Sequence, residues 1–469
     1  MAVLQKIVDT VNTYLSDYIL LILLLGLGIF FSIRTKFVQV RCFGEGMKAV
    51  FGSDSRKKGK GINKFQALTT AIAAQVGTGN IVGACGAILI GCPGAIFWMW
   101  IIAFFGMSTI YAEAVLAQKT KTVDADGTVH GGPVYYIKAA FKGNFGKFLA
   151  GFFAVAIILA LGFMGAMVQS NSIGSTMEAA FGVPSWVIGI IVALIVGVIL
   201  IGGVKRIAQV TEKLVPIMAI LYLLGGLIVI CINITGVPAA IGLIFKNAFA
   251  PDAALGGIFG AIMMAITQGA KRGLFSNEAG MGSTPHAHAL ADVKDPHEQG
   301  VAAMIGVFID TFIVLTMTAL VVITVLYTRD GALADYVATG DMTLGGAILN
   351  KETMTQEAFA QSFGSAAFGN IFVAICLLFF AFSTILGWNY FGKVNVEYLF
   401  GKKAVPVYTV LALVFVVLGS FLQNDLVWSL MDLFNQLMVL PNAIALIALS
   451  GMVVAVCKNR NKNDLGLKK

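Results

Sequence analysis

Charge is scarce in this chain. Asp, Glu, Lys and Arg make up 12% of its 469 residues, where soluble domains carry about 25%, and that shortage excludes an ordinary soluble enzyme. Cysteine is equally thin. Cys42, Cys85, Cys92, Cys231, Cys376 and Cys457 stand singly, without C-x-x-C spacing and mostly inside apolar runs, so they read as small buried hydrophobes and imply neither disulfides nor a metal. No Ser/His, Cys/His or paired-Asp constellation supplies a nucleophile with its base, which argues against a membrane enzyme. The N-terminus lacks a secretory cleavage pattern: Lys6 precedes Asp9 and Asp17, and the run Tyr18 to Ile33 continues without an A-x-A site. That run is expected to be a retained helix.

What remains is apolar. Hydrophobic residues make up 58% of the chain and mean hydropathy is +0.87. A spanning helix takes about 20 apolar residues, so nearly the whole chain is expected to lie in membrane. Apolar stretches predict eleven spans, starting near residues 14, 64, 94, 148, 185, 208, 255, 299, 366, 404 and 426. An odd count puts the termini on opposite sides. With the N-terminus outside, all but four of the 32 Lys and Arg fall on cytoplasmic segments, the exceptions being Lys6, Lys246, Arg329 and Lys351. The cluster Arg56-Lys57-Lys58-Gly59-Lys60 and the tail Lys458 to Lys469 face inward. The loop from Thr328 to about Gly364 faces outward and carries Asp330, Asp335, Asp341, Glu352 and Glu357. The net charge of +8 is therefore topological and calls for no nucleic acid.

Two spans stand apart from lipid-facing runs such as Val192 to Ile201. The second carries Gln75-Val76-Gly77-Thr78-Gly79-Asn80 at depth. The seventh reads Gln268-Gly269-Ala270-Lys271-Arg272-Gly273-Leu274-Phe275-Ser276-Asn277-Glu278-Ala279-Gly280-Met281-Gly282. Each helical glycine costs about 0.8–1.0 kcal/mol against alanine, and a charge at mid-bilayer costs about 2.5–3.5 kcal/mol on insertion scales. Both helices are expected to be broken. They open two sets of five spans offset by an odd number, so the sets enter from opposite sides: an inverted repeat of five plus five after one extra helix. The expected division is 1–63 for the first helix and basic loop, 64–236 and 237–457 for the repeats, and 458–469 for the tail. Beyond the shared Gln and Gly the halves have no detectable identity.

A broken helix frees N–H groups on one side of the break and carbonyls on the other. Amides at Gly77, Thr78 and Gly79 suit a carboxylate, while the Ala73 and Val76 carbonyls suit a hard cation such as Na⁺. In the ninth span, Ser383 and Thr384 can complete an oxygen shell, and Trp388, one turn on, lies on the same face and would wall a small pocket. Gln169, Ser170 and Asn171 place uncharged polar groups at depth in the fourth span. The blander readings are helix packing, self-bonded hydroxyls and interhelical hydrogen bonds, and packing is preferred for Gly83 and Gly86. Glu113, Asp310 and Asp432 are buried ionisable candidates with no assigned proton. Lys271, Arg272 and Glu278 are expected to neutralise one another in the inner half of the seventh span. His286 and His288 are expected in a solvated cytoplasmic loop, and Gly131-Gly132-Pro133 is expected to start a short interfacial helix over Val134 to Phe141.

Taken together, Gln75-Val76-Gly77-Thr78-Gly79-Asn80, Gly273 to Gly282 and Ser383-Thr384-Ile385-Leu386-Gly387-Trp388 resemble the alanine or glycine:cation symporter family over nearly the whole chain. The resemblance implies an all-α integral membrane protein of the leucine-transporter fold that imports small neutral amino acids, alanine or glycine, with sodium or sometimes protons, across the cell membrane and as a monomer. It implies substrate contacts at Thr78, Gly79, Gln169, Phe275, Thr384 and Trp388, and a sodium site at Ala73, Val76, Phe380, Ser383 and Thr384. Asn80 matches an asparagine of a second sodium site in some relatives. No other cofactor is implied. A channel, or a proton-coupled peptide or organic-acid carrier, is the alternative.

Overall fold

The computed structural model describes residues 2–52, 62–125, 128–249, 257–328, 331–334, 342–344, 347–422 and 425–459. The basic cluster Arg56 to Lys60, the tail beyond Asn459, and Asp330, Asp335 and Asp341 lie outside the described residues.

Helices dominate. In chain order they are α1 (Ala2–Tyr14), α2 (Leu21–Arg34), α3 (Phe43–Phe51), α4 (Lys64–Gln75), α5 (Gly79–Gly91), α6 (Gly94–Thr120), α7 (Pro133–Ala140), α8 (Gly143–Phe181), α9 (Ser185–Ile201), α10 (Gly203–Ile232), α11 (Val237–Phe249), α12 (Gly257–Asn277), α13 (Pro285–Ala289), α14 (Pro296–Tyr327), α15 (Met354–Phe363), α16 (Ala366–Phe400), α17 (Lys402–Phe421), α18 (Asp425–Ala448) and α19 (Ser450–Asn459). Two short antiparallel hairpins, Thr122–Val123 with Val129–His130 and Met342–Leu344 with Ala347–Leu349, were not anticipated. Helices begin at or near each of the eleven expected starts. Among the described residues seven helices are individually long and apolar enough to cross a bilayer, and α4 with α5 makes an eighth as a pair bent by 47°.

Burial separates protein-facing from lipid-facing sides. On α9, Val192 and Val196 are buried while Leu194, Ile195, Val198 and Ile201 are exposed, an apolar face of the kind that marks membrane or protein contact. The spans without such a face lie at the centre. α14 packs along α6, α16 along α8, and α4 against both α10 and α16. The helices that follow the two broken spans, α6 and α14, thus lie against each other.

Both breaks form. α4 starts with a capping box, in which Asn63 accepts from the Gln66 amide while the Gln66 side chain accepts from the Asn63 amide. It ends at Val76, whose backbone is extended. α12 ends at Asn277, and the next turn needs left-handed backbone at Glu278 (φ 57°), Gly280 (φ 93°) and Gly282 (φ 83°); glycine takes such angles freely and glutamate does not. The Glu113 carboxylate on α6 holds this turn by accepting from the Gly280 amide (3.0 Å), the Gly282 amide (2.9 Å) and Asn442 Nδ2 (2.7 Å).

Several expectations are corrected. His286 and His288 are buried on α13, not solvated: His286 stacks on Phe391 and binds the Ser283 carbonyl and Asn395, and His288 accepts from the Gln299 side-chain amide at 2.8 Å. A chain folding back into the core needs partners for its polar groups there; His286 has them at both ring nitrogens, while His288 Nε2 is buried without one. Pro133 does start α7, but Pro133, Val134, Tyr136 and Ile137 are buried and Tyr136 donates to Asn442, so α7 docks on protein. Gly83 and Gly86 are not tight helix contacts, since a Cβ at either would meet neighbours at an ordinary 3.6–3.9 Å.

Candidate functional site

The geometry starts at the end of α4. In an unbroken helix the Ala73 carbonyl would accept from the Gly77 amide and the Val76 carbonyl from the Asn80 amide. Here the Gly77 amide donates to Asn80 Oδ1 at 2.9 Å, and the Asn80 amide to the Gly77 carbonyl at 3.3 Å. Both carbonyls are released.

They face α16. Thr384 Oγ1 lies 3.0 Å from the Ala73 carbonyl oxygen, 3.5 Å from that of Val76 and 3.0 Å from that of Phe380; Ser383 Oγ lies 3.4 Å from the Ala73 oxygen and 2.9 Å from the Phe380 oxygen. Two hydroxyls bring two protons to three carbonyls and their own lone pairs. Acceptors outnumber protons in a place where all five residues are buried. The five residues expected from sequence are the five whose oxygens the structure brings together.

The seven expected substrate residues also converge. Gln169 Oε1 on α8 accepts from the Thr78 amide at 3.2 Å, so the amide expected to face a carboxylate is engaged by a side-chain carbonyl. Thr78 Oγ1 is buried without a partner. Gly77 and Gly79 are glycine for want of room: a Cβ at Gly77 would lie 2.3 Å from Thr384 Oγ1, and one at Gly79 would lie 2.9 Å from Ser276 Cα and 3.1 Å from Phe275 Cδ1. Phe275 meets Trp388 edge-on, with ring centroids 5.9 Å apart. Trp388 backs onto Gly165, where a Cβ would come within 2.6 Å of its ring. Of the other polar pair on α8, Asn171 donates to the Gly419 and Leu422 carbonyls of α17's end, an interhelical role, whereas Ser170 Oγ is buried without a partner.

The charges arrange themselves differently from expectation. Glu278 does not neutralise Lys271 and Arg272; its carboxylate accepts from Trp388 Nε1 and from Ser283 Oγ. Arg272 pairs with Asp432 of α18 at 3.5 Å and lies over the Trp428 ring, which Lys351 also covers. This places Arg272 on the side of the 347–353 segment and not beyond the break toward α13. Six residues separate Arg272 from Glu278, and the broken backbone points their side chains to different helices. Trp428 in turn packs on Phe275 at 5.6 Å.

Asp310 had no assigned role, and the structure makes it the joint between the two breaks. Its carboxylate accepts from Asn80 Nδ2 (2.6 Å), Ser276 Oγ (2.9 Å) and Thr311 Oγ1 (2.9 Å). It sits on a π-helical turn, Phe308–Leu315, of α14, and such turns re-aim side chains at functional sites. Gln75 ties the same regions by donating to the Asn277 carbonyl at 2.7 Å. The signal in the sequence was an acid inside a span; its partners were invisible because they lie 34 and 230 residues away.

A family model described as "Sodium:alanine symporter family" matches residues 1–467. The sodium/alanine symporter AgcS of Methanococcus maripaludis is 40% identical over 460 residues, covering 97% of this chain and 97% of that protein. A probable sodium/glutamine symporter, GlnT of Bacillus subtilis, is 40% identical over 459 residues, covering 97% and 91%. The crystal structure of MhsT in complex with L-phenylalanine superposes with a TM-score of 0.60 at 12% identity, over 84% of this chain and 90% of that one, a likeness of fold.

The oxygen cluster predicts that Na⁺ stabilises the purified protein, because a ion that binds only the folded state raises its melting temperature. Gly77→Ala drives a methyl against Thr384 and should abolish that Na⁺-dependent rise while leaving the melting temperature in choline within a few degrees. Retention of the full Na⁺ response in Gly77→Ala would show that the ion binds elsewhere.

Proposed function

The chain belongs to the sodium:alanine symporter family, and from that premise we propose that it imports small neutral amino acids, alanine and glycine, by alternating access across the cell membrane. It is a multi-pass membrane transporter rather than an enzyme, and Na⁺ is its coupling ion. The observation that carries the proposal is the surplus of oxygen where Ser383 and Thr384 meet the carbonyls of Ala73, Val76 and Phe380.

Sodium completes the bonds that the break in α4 leaves open. Occupancy draws α4 to α16, and the next residues, Gly77, Thr78 and Gly79, then present their amides to the substrate carboxylate, with Gln169 rotating off the Thr78 amide to admit it. Thr384 belongs to both sites, which links ion and substrate through one side chain. Phe275 and Trp388 bound the space for the substrate side chain. Five-plus-five inverted organisation, with repeats at 64–236 and 237–457 and eleven crossings, is supported by the two breaks and by the packing of α6 on α14. We place the N-terminus outside and the C-terminus in the cytoplasm, with the transporter acting as a monomer.

Energetics suit the task. A zwitterion carried with one Na⁺ moves one charge inward, worth about 2.3 kcal/mol at 100 mV, and a tenfold sodium gradient adds about 1.4 kcal/mol. The sum, about 3.7 kcal/mol, sustains accumulation on the order of several hundredfold under tight coupling.

Uptake of labelled alanine into vesicles should stop when choline replaces Na⁺ at fixed pH. The pair Ser383→Ala with Thr384→Val keeps shape and removes both hydroxyls, and should raise the sodium concentration for half-maximal uptake at least tenfold; an unchanged sodium dependence rejects the site.

Competition by a series from glycine to leucine should show glycine and alanine competing and leucine failing in the wild type. Trp388→Ala removes the wall, so alanine uptake weakens and leucine begins to compete. Equal competition by leucine and alanine in the wild type ends the small-pocket reading.

Orientation is read by labelling single cysteines in intact cells, in a background with the six native cysteines replaced. A cysteine at Asp341 should react with an impermeant reagent and one at Lys58 should be protected; the reverse pattern inverts the topology.

A further inference from the structure

Away from the transport site, Cys42 Sγ, a Glu45 carboxylate oxygen and a His297 ring nitrogen lie within 4.8 Å of one another, and among the described residues they are the one such group of three. Cys42 caps α3 and Glu45 stands in its first turn, three residues on and hence on the same face. His297 opens α14, and its Nε2 is 3.1 Å from Glu45 Oε2. The His297 Nδ1 shares a hydrogen bond with the Tyr111 hydroxyl of α6 at 2.8 Å, which fixes the ring so that Nε2 faces the other two groups.

We propose that Cys42, Glu45 and His297 form a binding site for a thiophilic divalent cation of the zinc class. Thiolate, imidazole and carboxylate together make a zinc donor set, with bonds of about 2.0–2.3 Å, and the three donor atoms already lie within 4.8 Å of one another. The sulfur excludes Na⁺, Mg²⁺ and Ca²⁺, which take oxygen ligands. Tyr111 supplies the outer hydrogen bond that metal-bound histidines carry. Cys42 and His297 are buried while Glu45 is exposed, so the ion enters past the carboxylate and keeps one position for water. Bound there, it fastens α3 to the start of α14, two elements that no hydrogen bond in the transport site joins. The spacing hid this from the sequence, since Glu45 and His297 are 252 residues apart.

The probe is Co²⁺ titrated into the purified full-length protein in detergent. Binding through the Cys42 sulfur produces a thiolate-to-cobalt charge-transfer absorption in the near ultraviolet that saturates at one ion per chain, and Zn²⁺ bleaches it because it binds such sites more tightly. Cys42→Ser should remove the band. Glu45→Gln, at an exposed position, should weaken Co²⁺ affinity at least tenfold, and Tyr111→Phe should weaken it about 10–100-fold through the outer hydrogen bond. Cys457→Ser, which alters a thiol that also interacts with Tyr111, and Cys376→Ser should keep the band. Absence of the band in the wild type, its survival in Cys42→Ser, or its loss in Cys457→Ser with Cys42 intact overturns the assignment.

Discussion

An unsatisfied peptide group inside a membrane costs several kcal/mol, and the break after Gln75 sets two carbonyls and their amides loose at once. Everything near the centre of this molecule answers that cost. Asn80 folds back to take the Gly77 amide, Gln169 reaches from α8 to take the Thr78 amide, and Thr384 and Ser383 come from α16 to the released carbonyls. The oxygens gathered there are the ones proposed to hold a cation. A helix that stayed regular would have satisfied its own carbonyls and left nothing for an ion.

The second break is held by different means. Its freed amides at Gly280 and Gly282 meet a carboxylate, Glu113, from the neighbouring helix, and charge-assisted bonds of this kind are stronger than neutral ones. Asn442 secures both parties by donating to Glu113 and to the Gly280 carbonyl. Glu278, forced into left-handed backbone beside these glycines, carries the strain of a non-glycine residue there and directs its carboxylate to Trp388. The turn thereby sets the position of the ring proposed to bound the substrate. Asp310 then ties the first break to the second through Asn80 and Ser276, so neither can shift without straining the other.

Local pattern carried most of the fold. Runs of apolar residues mark helices at every expected start, and clustered glycine and polar residues mark both breaks, because the physical signals of span and break are contiguous in the chain. That the oxygens of Ala73, Val76, Ser383 and Thr384 would meet was read from the break and from neighbouring residues, while Phe380 joined them only through the family resemblance. What escaped notice is long-range and charged. Arg272 finds Asp432 of α18, not the glutamate six residues ahead, since a broken helix loses the periodicity by which side-chain directions are read. His286 and His288 follow a stretch of small and polar residues that reads as a loop, yet the chain folds inward there and Asn395 and Gln299 receive them.

The same geometry explains how ion and amino acid can depend on each other without an elaborate relay. Coupling needs a binding event that one ligand makes cheaper for the other, a differential free energy shared between two sites. In the proposed function the two sites share a stretch of backbone: the carbonyls proposed to face the cation belong to Ala73 and Val76, and the amides proposed to face the substrate begin at Gly77. Ordering that stretch costs about 1–2 kcal/mol per residue, and whichever ligand arrives first meets the cost for both. With Thr384 proposed to touch each side, removal of either ligand returns the segment to its hydrogen bonds with Asn80, Gln169, Ser383 and Thr384. A few residues of unwound helix are thus enough to make entry of the substrate conditional on the ion.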